Sequence, residues 1–132
     1  VLAVSSRPVF ISHTGIRDLC HENRNLPLEL ADAIVAKGGL VGVTFFRTAI
    51  CGEDPLIERV ADTIQMLGER LGWQHVSIGS DWDGMVAAAV PPENVGALGD
   101  VLLRRGISEE HVASVMGGNL VRFLAEQLPA SA

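Results

Sequence analysis

Three short apolar runs, rich in β-branched and aromatic residues and each closed by polar or glycine residues, constrain the fold of this chain more than any other feature. They are Pro8-Val9-Phe10-Ile11-Ser12-His13, Gly39-Leu40-Val41-Gly42-Val43-Thr44-Phe45-Phe46 and His75-Val76-Ser77-Ile78-Gly79-Ser80-Asp81. Continuous apolar runs of this length read as strands buried on both faces, the habit of a parallel sheet. Helical stretches separate them. Residues 27–37 open with Pro27 and stop at Gly38, the punctuation expected of a helix. In the next interval Asp54 is suited to cap and Pro55 to the first helical position. Ile57, Val60, Ala61, Ile64, Leu67 and Leu71 then share one face, and Gly72 ends the helix.

After the third run comes a loop with Pro91 and Pro92, a helix near 93–105 stopped by Gly106, and a last helix opened by Ser108 with Glu109 and Glu110 in its first turn. Its expected buried stripe is Val112, Val115, Met116, Leu120, Phe123 and Leu124. Gly117, Gly118 and Asn119 interrupt that pattern, which points to close packing or a fresh helix start. Strands alternating with helices imply parallel pairing through right-handed crossovers, so the fold class is α/β. Three units are too few to close a (β/α)8 barrel, which takes ~250 residues.

With 132 residues, 48% apolar and 20% charged, and no linker before the tail at Pro129, residues 1–132 read as one ordered domain or a piece of one. A net charge of −6 without a basic run excludes a nucleic-acid footprint. No apolar stretch is long enough for a transmembrane segment. The opening residues lack an initiator Met and the features of a signal peptide. Cys20 and Cys51 are too few for a disulfide scaffold and lack zinc-site spacing, so free thiols are the default expectation. Each follows a predicted strand by about seven residues, however, so pairing stays open if those strands are neighbours.

In barrels of parallel strands the chemistry lies at the C-terminal strand ends, here His13, the residues after Phe46, and Asp81. A neutral imidazole can bind a metal, and a carboxylate nearby can bind it too or exchange a proton with metal-bound water. Alone, His13 reads first as a hydrogen-bonded structural histidine rather than a ligand, and the plain alternative for Asp81 is a helix-capping or loop-stabilising carboxylate. His21, His75 and His111 are expected to be structural or solvated. Arg17 is expected to be a solvated loop residue, with a place bordering the site as the alternative.

The stretch Pro8-Val9-Phe10-Ile11-Ser12-His13-Thr14-Gly15, followed by Cys20 and Asn23-Arg24-Asn25-Leu26, resembles the renal (membrane) dipeptidase family of zinc-dependent amidohydrolase-like barrels. Gly39-Leu40-Val41-Gly42-Val43 resembles that family's penultimate strand, and Ile78-Gly79-Ser80-Asp81-Trp82-Asp83-Gly84 its final one, where phenylalanine is commoner than Trp82. Leu102-Leu103-Arg104-Arg105-Gly106-Ile107-Ser108-Glu109-Glu110 and Met116-Gly117-Gly118-Asn119-Leu120 fit its end. The resemblance runs in order through nearly the whole chain.

It implies that these are the last three or so units of a TIM-type (β/α)8 metal-dependent hydrolase barrel, with the N-terminal barrel units absent. By the same resemblance His13 is a ligand in a two-zinc centre, Arg24 holds the carboxylate of a dipeptide substrate, and Asp81 is the acidic catalytic residue beside the metals. In the family a hydroxide shared by the two zincs attacks the peptide carbonyl. The family's early strands carry a His-x-Asp pair, a bridging glutamate and a further histidine that have no counterpart here. The chain by itself is therefore expected to be inactive, to need the missing N-terminal part, and, with its sheet edges bare, to be prone to form a homo-oligomer. A non-catalytic α/β module and another amidohydrolase-like hydrolase are the alternative readings. Cytoplasmic residence is the expectation for a bacterial-type member.

Overall fold

A computed structural model describes residues 2–129; residue 1 and residues 130–132 of the expected domain lie outside it. Strands β1 (Phe10–Thr14), β2 (Leu40–Thr44) and β3 (Val76–Gly79) form one sheet in the order β1-β2-β3. Both pairings are parallel, with Ile11 opposite Val41 and Val43 opposite Ile78. The crossovers are helical: α1 (Leu28–Val35) joins β1 to β2, and α2 (Arg47–Ile50) and α3 (Leu56–Leu71) join β2 to β3. Helices α4 (Val95–Arg104), α5 (Glu109–Ala113) and α6 (Asn119–Gln127) follow. The expected α/β class and all three expected strands are present.

The period of two along each strand divides the sheet into unlike faces. Val41, Val43, Val76 and Ile78 face a core shared with Ile34 of α1, Val60, Ile64 and Leu67 of α3, and Leu98 and Leu102 of α4. The opposite face carries Gly42, Thr44, Ser77 and Gly79. A Cβ on either Gly42 or Gly79 would collide with the Ser12 carbonyl of β1, so the outer strands approach one another over the middle one only because both positions lack a side chain. The sheet is curled, small and polar within and apolar without.

Helices α1 and α3 stop where expected, at Gly38 (φ 75°) and Gly72 (φ 92°), whose left-handed backbones suit glycine. Two expectations are corrected at helix starts. Asp54 does not cap α3; Pro55 occupies the cap position, and the Asp54 carboxylate accepts a 2.8 Å hydrogen bond from the Arg47 guanidinium. The helix expected near 93–105 is α4, which starts at Val95 rather than Glu93 because a single 3-10 turn, Pro92–Asn94, precedes it. The last helix is broken. Ser108 caps α5 by accepting from the His111 amide, a π-type turn spans Ser114–Gly118 with Gly117 out of helical conformation, and α6 restarts at Asn119. The break turns Leu124 to solvent while Val112, Val115 and Phe123 stay buried, so the expected stripe does not run through.

That restart aims Asn119 inward. Its amide donates 2.7 Å hydrogen bonds to the carbonyls of Trp73 and Val76, locking α6 to the entry of β3. On the flank, Arg105 binds Glu58 at 2.6 Å and Asp62 at 2.8 Å, tying α4 to α3, and Arg70 grips Asp32 with two hydrogen bonds, tying α3 to α1.

Candidate active site

Because the three strands are parallel, the segments that leave their C-terminal ends gather on one rim of the sheet. His13 is the penultimate residue of β1, and Asp81 lies two residues past β3. Curling of the sheet brings them together: His13 Nε2 lies 3.8 Å from Asp81 Oδ1. Ser12 Oγ is hydrogen-bonded to His13 Nδ1 at 2.8 Å, which fixes the ring with Nε2 toward the carboxylate. The imidazole is 41% exposed and the carboxylate 17%, so the pair stands at the mouth of a cavity of about 350 Å³, accessible from solvent. Ser12, Gly79, Ser80 and Asp83 line that cavity.

Asp81 owes its pose to the turn after β3. It is itself left-handed (φ 62°), and its carbonyl accepts from the Gly84 amide at 3.2 Å. A Cβ on Gly84 would lie 2.6 Å from Asp81 Oδ1, so glycine there leaves the carboxylate its space. The following loop is strapped to the end of β2. Trp82 Nε1 donates to the Val90 carbonyl at 2.8 Å, its indole packs on Phe45, and the Ala89 amide donates to the Phe45 carbonyl at 2.6 Å.

Arg24 lies in the loop between β1 and α1, with its guanidinium carbon 5.2 Å from the centroid of the Phe46 ring. That loop is fastened to the segment after β2. Cys20 and Cys51 form a disulfide with a Cα separation of 5.6 Å, which corrects the expectation of free thiols. The reason is the sheet order: β1 and β2 are neighbours, so the two loops leave the same rim side by side. Asn25, buried, reinforces the join by donating to the carbonyls of Cys20 (2.9 Å) and Ala49 (2.8 Å).

Three other basic side chains near the motifs have structural partners. Arg17 donates to the Asn23 carbonyl within its own loop, His75 is hydrogen-bonded to the Gly39 carbonyl, and His111 stacks on Trp73. Phe46, not singled out from the sequence, is the residue at this rim that sequence reasoning missed. The available signal was an aromatic side chain at the end of a buried strand.

His13 and Asp81 are chemically apt for zinc, and their 3.8 Å separation is near the spacing, about 3.3 to 3.6 Å, of two ligands on one tetrahedral ion. They fit as two ligands of a set. Among the described residues no group of three or more His, Cys, Asp and Glu side chains is arranged to hold a metal ion. Nor is any helix among them long and apolar enough to cross a membrane.

The family model for membrane dipeptidases (peptidase family M19) matches residues 1–131. The chain belongs to the membrane dipeptidase family. Dipeptidase verJ of Clonostachys rogersoniana is 37% identical over 127 residues, covering 94% of this chain and 33% of the relative. Dipeptidase ataJ of Aspergillus terreus is 33% identical over 131 residues, 95% of this chain and 32% of the relative. This membrane dipeptidase family chain thus spans about a third of the length of the curated relatives it matches. A Rhodobacter sphaeroides metallopeptidase solved with a phosphinate mimic of the dipeptide L-Ala-D-Ala superposes with a TM-score of 0.80 at 24% identity, over 94% of this chain and 37% of that one. The fold is accordingly that of the metallopeptidases of this family.

Proposed function

We propose that this chain is the C-terminal portion of a zinc-dependent dipeptidase and completes its active site only together with N-terminal units of a TIM-type (β/α)8 barrel. One observation carries the reading: in a member of the dipeptidase family, His13 and Asp81 converge at 3.8 Å on the C-terminal rim of a curled parallel sheet. That rim is where barrels of this kind hold their chemistry.

In this reading His13 is a zinc ligand, oriented by Ser12. Zinc, when bound, polarises the peptide carbonyl as a Lewis acid. Asp81, close to the same point and held by the turn through Gly84, carries a proton toward the leaving amine. Arg24 receives the free carboxylate that distinguishes a dipeptide from a longer chain, because its planar fork matches a carboxylate with two parallel hydrogen bonds. The outer edges of β1 and β3 pair with the strands of the N-terminal units. An apolar groove of about 620 Å³ beside β1, lined by Leu2, Ala3, Val9, Ile11, Leu30 and Ile34, is covered by the preceding unit. Left bare, these surfaces would draw copies of the chain together.

The test compares the 132-residue chain with the same chain supplied with the N-terminal barrel units of a membrane dipeptidase. Alone, it should retain no zinc after dialysis and cleave no dipeptide. Complemented, it should hold zinc and cleave dipeptides while sparing N-blocked dipeptides and tripeptides. Tightly held zinc in the isolated chain would refute the incomplete-site argument. A complemented, zinc-loaded protein without hydrolase activity would favour a non-catalytic scaffold, and one that cleaves N-blocked amides would favour a broader amide hydrolase.

A further inference from the structure

Arg24 differs from every other arginine of the described residues. Arg47, Arg59, Arg70, Arg104 and Arg105 each pair with a carboxylate. Arg7, Arg17 and Arg122 each donate to a backbone carbonyl. Arg24 alone makes neither kind of contact, and what holds its guanidinium is the face of Phe46, 5.2 Å away. A ring face attracts the cation through its quadrupole and uses none of the in-plane N–H donors. Among the described residues, none of its five donors is engaged, which leaves them for a ligand.

We propose that Phe46 is the positioning residue for Arg24, orienting its guanidinium for the carboxylate of the substrate; the proposal rests on the dipeptidase reading of the site. Both backbones are already fixed. Phe46 opens α2, its amide donates to Thr44 Oγ1, and it bridges to Ala88 of the following loop. Arg24 sits between the Asn23 carbonyl held by Arg17 and the buried Asn25, inside the loop closed by Cys20–Cys51. What is left mobile is the long Arg24 side chain, and stacking restricts its rotamers before substrate arrives. The ordering entropy is then lost on folding, and less is lost on binding.

Phe46→Leu keeps an apolar side chain at a half-buried position but removes the ring, whereas Phe46→Tyr keeps the ring. In the 132-residue chain, the Arg24 Hε resonance should be shifted upfield by the ring current, lose that shift in Phe46→Leu and keep it in Phe46→Tyr. In the zinc-loaded, complemented protein, Phe46→Leu should raise KM for free dipeptides about two- to five-fold with kcat held, and Phe46→Tyr should restore it. C-amidated dipeptides should show no such difference. An unshifted Hε, an unchanged KM, a fall in kcat at constant KM, a tyrosine that fails to rescue, or an equal effect on amidated substrate would each overturn the role of Phe46. Failure of the unmutated protein to cleave any dipeptide is a different result, because it removes the dipeptidase reading and the proposal with it.

Discussion

Breaking the Cys20–Cys51 bond should cost this chain more stability than any single change at its rim. The bond closes a loop of sequence separation 31 that contains Arg24, α1, all of β2 and α2. In the chain-entropy account a loop of that length restricts the unfolded ensemble by ~3.7 kcal/mol at 25 °C. That is a large part of the 5–15 kcal/mol typical of a folded domain. For a urea slope of about 2 kcal/mol/M, reduction should lower the unfolding midpoint by roughly 2 M. Cys51 adds a second, separable effect. Its backbone lies at φ 56° and ψ 164°, a region open essentially to glycine and costly to other residues by ~1–3 kcal/mol. Cys51→Gly should therefore be the more stable of the two disulfide-free variants, ahead of Cys51→Ala by at least about 1 kcal/mol. The assay is urea unfolding with and without a phosphine reductant, paired with thiol titration of the denatured protein. Two free thiols per chain in unreduced protein would refute the pairing. A midpoint insensitive to reductant would refute the energetic argument even with the bond present.

Other expectations follow from single contacts. Asn119→Ala leaves the carbonyls of Trp73 and buried Val76 without their donor and should lower unfolding free energy by about 2–3 kcal/mol; Asn119→Asp should not restore it, because a carboxylate cannot donate. Gly84→Ala places a methyl group against Asp81 Oδ1 and should reduce kcat of the complemented protein roughly 10- to 100-fold, with the urea midpoint of the chain nearly unchanged. The hydrogen bond from Arg47 holds the Asp54 carboxyl below the usual carboxylate range. A depressed folded value means that the contribution is complete above the unfolded range and is lost as pH falls through the folded value. Asp54→Asn should therefore flatten that part of the acid limb in a plot of urea midpoint against pH, and an unchanged limb would rule the pair out as a contributor.

Much of the fold was legible because its signals are local. A buried strand announces itself by a short apolar run, and α1 and α3 by the proline before them and the left-handed glycine after them. The features that escaped depend on contacts between distant residues or on segments too short to show a period. Arg47–Ile50 forms a single helical turn with no repeat to read. Asp54 had the right chemistry for a cap, but an arginine seven residues earlier offered a better partner. Gly117 and Gly118 did mark the interruption of the last helix. The outward turn of Leu124 followed from the angle at which α6 restarts, and that angle is set by Asn119 reaching the carbonyls of another element.

The same distinction separates the two halves of the site. His13 and Asp81 could be suspected from position alone, since parallel strands deliver their C-terminal ends to one rim whatever lies between them. Their meeting, however, requires the sheet to curl, and the curl depends on Gly42 and Gly79, residues that appear in sequence only as breaks in an apolar run. Arg24 came from resemblance, and no spacing rule links it to Phe46, twenty-two residues away. Adjacency of β1 and β2 converts that separation into contact, and it converts Cys20 and Cys51 into a disulfide by the same step. Sheet order is thus the missing term in reading this rim: once β1 is known to lie beside β2, the disulfide, the Asn25 join and the stacked arginine stop being three coincidences and become consequences of one pairing.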